Sequence, residues 1–479
     1  MALSTEQESI LSQVVEAWQN GKSLGELEEA SGTNPYNLYC EVLDEDGASK
    51  KAKLSNLLPY LEEYCSYGVE RDTTVSAPEC TRIGNVALHK SLPVHSRMKG
   101  CLLDDDGNVV EYLDPKDWTG NTRDGSRGQV MVEIPLHYRK FSYDGNMMSV
   151  RVSEYPLPGY HVVPKMYVSA YQAAVDRTNG KLASVVNTSA QYRGGNNQSA
   201  WDGTYRSLLG MPATAISRTG FRSYARKRNA GATSEWNCMT YDVHKALYWL
   251  FVVEYATLNC QASYNAQLTS EGYRQGGLGA GVTNMSGWYD YNSYYPITPC
   301  GCTDSLGNQT GVVTHNVIAS DGETVYYAAA VPRYRGVENP FGHIWQWTDG
   351  INVRISPTTE NGGDGLSKIF VCSDPSKFSD TGYDGYSHVG NEARAEGYVK
   401  NVVGGEYGEM MPSEVGGGNT TYYCDYHYTN IPTKESLRGV LFGGHAANGA
   451  AAGFAYANSN SAPSDTAAYF GSRLCFIPA

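Results

Sequence analysis

The sequence predicts an α+β protein: a small N-terminal α+β unit, then a large loop-rich domain of short strands and one long helix. Three observations carry this. From Tyr241 to Leu258 the apolar residues Val243, Leu247, Leu250, Phe251 and Leu258 recur at threes and fours, the helical period. From Gln129 to Val152 apolar and polar residues alternate on both sides of Asp144-Gly145, the strand period broken by a hairpin turn. The length of 479 residues suits a large domain plus a small one, and 52 Gly with 37 Tyr mark a loop-rich, aromatic surface.

Composition narrows the function classes. The net charge is −13 and no basic stripe interrupts it, which argues against nucleic-acid binding. No run approaches eighteen apolar residues, so no membrane insertion through a helix is expected. The start, MALSTEQESI, has neither a basic nor an apolar signal region, so no secretory leader is expected. The eleven Cys are scattered, without a C-x-x-C pair or zinc-finger spacing, and read as free thiols made in a reducing cytoplasm.

Taken in order, residues 4–19 place Ile10, Leu11, Val14, Val15 and Trp18 on one helical face, ended by Asn20-Gly21. A second short helix is expected near Ser23 to Ala30. Residues 37–64 read as strand, DEDG turn, strand and helix. These elements make an N-terminal domain over residues 1–70. The polar stretch 66–79 is the expected boundary, and 80–479 the main domain. Short strands with turns at Asp106-Gly107 and Asp144-Gly145 follow, then a strand opening near Met166. Arg218, Arg222, Arg226 and Arg228 read either as an anion clamp or as partners of buried carboxylates such as Glu254, and the second reading is favoured. Trp288, Tyr289, Tyr291, Tyr294 and Tyr295 read either as a sugar-stacking platform or as padding of an insertion. At 336–353, GVENPFGHIWQWTDGINV puts a tight turn at Asn339-Pro340 before a strand with Trp345 and Trp347, and His343 reads as structural. Asp380, Asp384 and Glu392 lack EF-hand spacing and give only a weak calcium signal.

The last forty residues differ from all of this. Leu437, Val440 and Leu441 at one end, and Leu474, Phe476 and Ile477 at the other, look like buried strand. The middle has no long periodicity, so it needs a scaffold beneath it. Between Leu441 and Phe470 there is no Lys, Glu, Gln, Met or Trp. On composition alone the stretch reads equally as a Gly/Ala-rich surface loop without a role.

The frame RGVLFGG, AYANSNSAPS, GSRLCF resembles the variable region of proteins diversified by diversity-generating retroelements. The 336–353 motif resembles the ENPFG-x-x-WEW core of the same group, and 216–262 resembles its main-helix region. The resemblance implies a C-type lectin-like fold, in its formylglycine-generating-enzyme-like form with long insertions, over about 80–479. It also implies a variable ligand-binding region at 437–477. Adenine-directed changes to an Asn codon cannot produce Lys, Glu, Gln, Met or Trp, which fits the gap. The implied contact residues are His445, Ala447, Ala451, Phe454, Tyr456, Ser459, Ser461, Asp465, Ala467 and Tyr469, expected on one exposed face.

By the same resemblance the chain is expected to be a phage tail receptor-binding protein, a homotrimer located in the virion. It would bind a bacterial cell-surface protein or glycan and join other tail proteins through residues 1–70. A bacterial surface-displayed variable protein and an undiversified structural tail protein are the alternatives. No catalysis, metal or cofactor is expected: the paired Cys of the formylglycine-generating enzymes is missing, since 438–473 holds no Cys and Cys475 stands alone.

Overall fold

The computed structural model describes residues 39–43, 49–53, 58–203, 206–229, 234–283, 285 and 296–478. The two helices expected before residue 31, and the aromatic cluster 288–295, lie outside them. Strand is the dominant element and helices are few, so the described chain is largely β.

The largest core cluster forms around one helix, Tyr241–Tyr255. Thr240 caps it, its hydroxyl accepting from the Val243 N–H, and Asp242 sits in the first turn where the helix dipole favours a carboxylate. Ala256 ends it in the left-handed conformation (φ 53°). Every residue of the helix except Asp242 is buried, so it is a core element and not a surface one.

A five-stranded antiparallel sheet covers one side of the helix. Its order is His161–Val163, His137–Asp144, Met147–Ser153, Ser66–Asp72, Thr81–Gly84. This corrects the boundary expected at 66–79: Ser66–Asp72 is a strand paired along its whole length with Met147–Ser153. Its polar residues misled because Tyr67 and Val69, buried on the inward face, are the only large apolar side chains that a strand of this length needs. The hairpin at Gly145 is present as read, with φ +56°.

The largest sheet lies on another side, with Trp345–Ile355 at its centre against the helix. Ser436–Gly443 pairs with that strand, Gly453–Asn458 pairs with Ser436–Gly443, and Tyr426–Tyr428 lies parallel beyond. A six-stranded sheet holds Leu474–Phe476 between Trp236–Cys238 and Met166–Ser169. The chain end is therefore stitched into two sheets. Arg473, 1% exposed, fixes the junction: its guanidinium donates to the carbonyls of Glu338 and Asn339 and to Gln346 Oε1.

The arginines tie helix to loop, as favoured, but with other partners. Arg222 pairs with Asp349 and Asp380, and Arg218 with Asp380 and Asn352. Arg228 pairs with Asp105, and Arg226 donates to the Pro375 carbonyl. Glu254 instead holds Arg335 at 2.6 Å. Burial alone would raise the Asp380 carboxyl, but the Arg218 and Arg222 charges outweigh it and hold it at about 2. Asp380 is thereby engaged in an ion-pair network. Among the described residues no cluster of His, Cys, Asp and Glu has metal-ligand geometry.

Candidate functional site

The 437–477 region divides into a buried strand and an exposed rim. Val440 and Leu441, like Leu474 and Phe476, lie in buried strand; Leu437 lies in strand but is half-buried, and Ile477 is half-buried just past the strand end. The middle is more regular than its composition implied. Gly453–Asn458 is a strand buried at all six positions. Phe454, 1% exposed, stands among Phe251, Phe341 and Tyr334 at ring separations of 5.8, 5.8 and 6.2 Å. Small residues allow this: Gly453 passes so close to Asp425 that an added Cβ would sit 1.9 Å from Oδ1. Asp425 in turn accepts the Ala455 N–H at 2.7 Å.

Four of the ten expected contact residues are therefore interior. Phe454 fills the core. Tyr456, 5% exposed, packs edge-on to Trp345 at 4.6 Å and meets Tyr426 at 5.8 Å. Ser459 donates to Glu392 Oε1 at 3.0 Å. Ser461 is buried, and its carbonyl accepts the Gly439 N–H at 3.0 Å. The single exposed face expected for all ten is corrected to a rim of six. The cause is cover on both faces: Phe251 of the central helix packs on Phe454 and Trp345 on Tyr456, while Ser459 is held by Glu392 and Ser461 by Gly439.

The rim is His445, Ala447, Ala451, Asp465, Ala467 and Tyr469, all half-buried or exposed. The His445 and Tyr469 rings stack obliquely at 4.8 Å. Burial pushes the His445 imidazole down to about 4, so it is neutral near pH 7. Asp465 accepts the Ala462 N–H and closes the 462–465 turn. Tyr398 and Tyr426, half-buried, lead outward from buried Tyr456, their rings 5.2 Å apart, and exposed Tyr428 lies in the same strand as Tyr426. These three were missed because they sit in a Gly-rich insertion, and only the pairing of 426–428 with 453–458 brings them here.

The rim backbone is held at short intervals. Thr283 O accepts Gly449 N–H at 2.6 Å, and Ala446 exchanges with His343 and Met285. The Tyr469 carbonyl accepts from Trp345, and the Ala467 carbonyl from Ala215. Trp345 and Trp347 lie buried beneath, as expected of core residues. His343 is structural too: it meets Gln172, Thr298 and the Ile297 N–H.

Beneath the buried half lies an unusual carboxyl. Burial raises Glu392 to about 8, although Ser459 and Thr429 hydroxyls offset part of the rise. The Cys475 thiol is fully buried, 3.7 Å from Met239 Sδ, and burial pushes it up to about 12. A thiol so placed is a poor nucleophile. No helix among the described residues is long and apolar enough to cross a membrane.

No protein-family model matches the chain, and no curated protein matches it. Two solved structures are similar in part. PvdO from Pseudomonas aeruginosa is 12% identical with a TM-score of 0.32, over 74% of this chain and 97% of its own. The Major Tropism Determinant U1 variant is 12% identical with a TM-score of 0.25, over 90% of this chain and 75% of its own. Both superpositions are loose, and neither assigns a fold or an activity to this chain.

Proposed function

We propose that the chain is a receptor-binding protein of a phage or prophage tail, with a C-type lectin-like scaffold and an exchangeable recognition rim. One observation carries the reading. The backbone from 443 to 470 is pinned to the core at short intervals, while the six rim side chains stay at the surface. Ordering about ten loose residues on binding would cost on the order of 10–20 kcal/mol. Nanomolar binding supplies only about 12 kcal/mol. A rim held before the ligand arrives avoids that cost. The buried, unactivated Cys475 supports binding over catalysis.

In this reading the rim contacts a host-surface protein or glycan, and a homotrimer multiplies weak single sites by avidity. The segment before the strand Ser66–Asp72 attaches the chain to the virion.

The test is joint replacement of His445, Ala447, Ala451, Asp465, Ala467 and Tyr469, followed by adsorption to a panel of intact bacteria. The expected result is a changed pattern of bound strains with an unchanged melting temperature. An unchanged binding pattern, or collapse of the fold, would remove the reading. Coding DNA from neighbouring isolates gives a second check: substitutions should fall at adenine positions in rim codons and spare Phe454.

A further inference from the structure

A cavity of about 530 Å³ opens between the 137–144 strand, the first turns of the central helix, and the loops near 372–374, 385–389 and 406–409. Of its lining residues only Ile477 belongs to the 437–477 region and none to the rim, so the cavity is separate from the rim. Its size lies within the range of small-molecule sites.

Strand alternation turns Arg139 and Phe141 into this cavity's wall. Arg139 is 8% exposed, and its Nη1 has no hydrogen-bond partner among the described residues. The guanidinium lies over the Phe141 ring, 5.4 Å from its centroid, and a buried donor left unmet beside it is costly. The nearby carboxylates are otherwise engaged. Lys245 takes Glu409 Oε1 at 2.9 Å and approaches Asp242 at 3.6 Å. His161 meets Glu406 at 2.9 Å. Glu409, 5% exposed, keeps a second orphan: its Oε2 has no hydrogen-bond partner among the described residues. Arg139 and Glu409 both line the cavity, where the Arg139 guanidinium, destabilised by burial, feels Asp242 first and Glu409 second.

One unmet donor and one unmet acceptor thus line the same cavity. Asp242, Asp374, Glu406 and Glu409 outnumber Arg139 and Lys245 on its wall, so a multiply charged anion such as phosphate is repelled. A molecule carrying both a carboxylate and an ammonium satisfies both orphans. Val163, Met166, Val371 and the Phe141 ring supply an apolar wall beside them.

We propose that this cavity binds a free α-amino acid with an apolar side chain, its carboxylate on Arg139 and its ammonium on Glu409. The side chain lies against Phe141, Val163 and Met166. The site is independent of the receptor-binding reading and stands or falls without it.

The test is titration calorimetry on the full chain with L-leucine, L-methionine and L-phenylalanine at millimolar concentration. Saturable binding by at least one of them is expected. Its N-acetyl and its amide derivatives, each lacking one charge, should bind at least about tenfold more weakly. Arg139→Met should abolish binding while leaving adsorption to bacteria intact. The comparison of charged and blocked ligands needs no variant, so a misfolded Arg139→Met would not spoil it. Absence of saturable binding by all three overturns the proposal, as does equal binding of the blocked forms or persistence of binding in Arg139→Met.

Discussion

The strand 453–458 and the rim on either side of it share a composition but not a role. Both are rich in small residues: the strand is GFAYAN, and its flanks add His445, Pro463, Asp465 and Thr466 to Ala, Gly, Asn, Ser and Tyr. The strand is paired on both edges and buried at every position, whereas the rim is tied down by its backbone and leaves its side chains outside. Small residues therefore serve opposite ends in adjacent segments. In the strand they permit close approach, as at Gly453 against Asp425. On the rim they frame a few side chains with local tasks, Asp465 closing a turn and His445 packing on Tyr469, and leave the Ala447 position open.

That contrast sets a ladder of expected effects. Phe454→Ala should be the most damaging, at about 3–5 kcal/mol, since it empties a space lined by Phe251, Phe341 and Tyr334. Chemical denaturation would show this as a lowered midpoint; a loss below about 1 kcal/mol would mean that the strand is not core. Gly453→Ala should cost about 1–3 kcal/mol, because the new methyl meets the Asp425 carboxyl.

Glu392 gives a subtler contrast through pH. Its folded value of about 8 stands above its ordinary 4.5, so the neutral acid is favoured by the fold. Its stabilising contribution is full below about 4.5 and is lost as pH rises through about 8. Melting temperature measured across that window should fall more steeply for the natural chain than for Glu392→Gln. Parallel curves would show that the carboxyl is already ionised in the folded protein. The smallest effects belong to the rim: single changes at Ala447, Ala451 or Ala467 should each stay within about 0.5 kcal/mol. A larger loss at any of them would move that residue from rim to core.

Local patterns were legible where they depend on neighbours in sequence. The helix at 241–255, the hairpins at Gly107 and Gly145, and the Trp345–Trp347 strand all follow from period and turn chemistry. The strand at 66–72 was hidden because three of its five buried positions are Ser66, Gly68 and Arg71, which carry no hydrophobic signal. The strand at 453–458 was hidden because Ala and Gly carry little hydrophobic signal, yet cover on both faces buries them. Partners at long range were equally hidden. Asp349 and Asp380, not Glu254, receive Arg222, and no local spacing announces that.

By itself the sequence determined the largely apolar central helix, the turns, and the unusual residue set of the last forty positions, because those rest on short-range geometry and on composition. Only the tertiary structure decided which of ten similar-looking residues face outward, and that Arg139 and Glu409 share one cavity. Burial and charge pairing are properties of neighbours brought together across hundreds of residues, and nothing in the spacing along the chain encodes them.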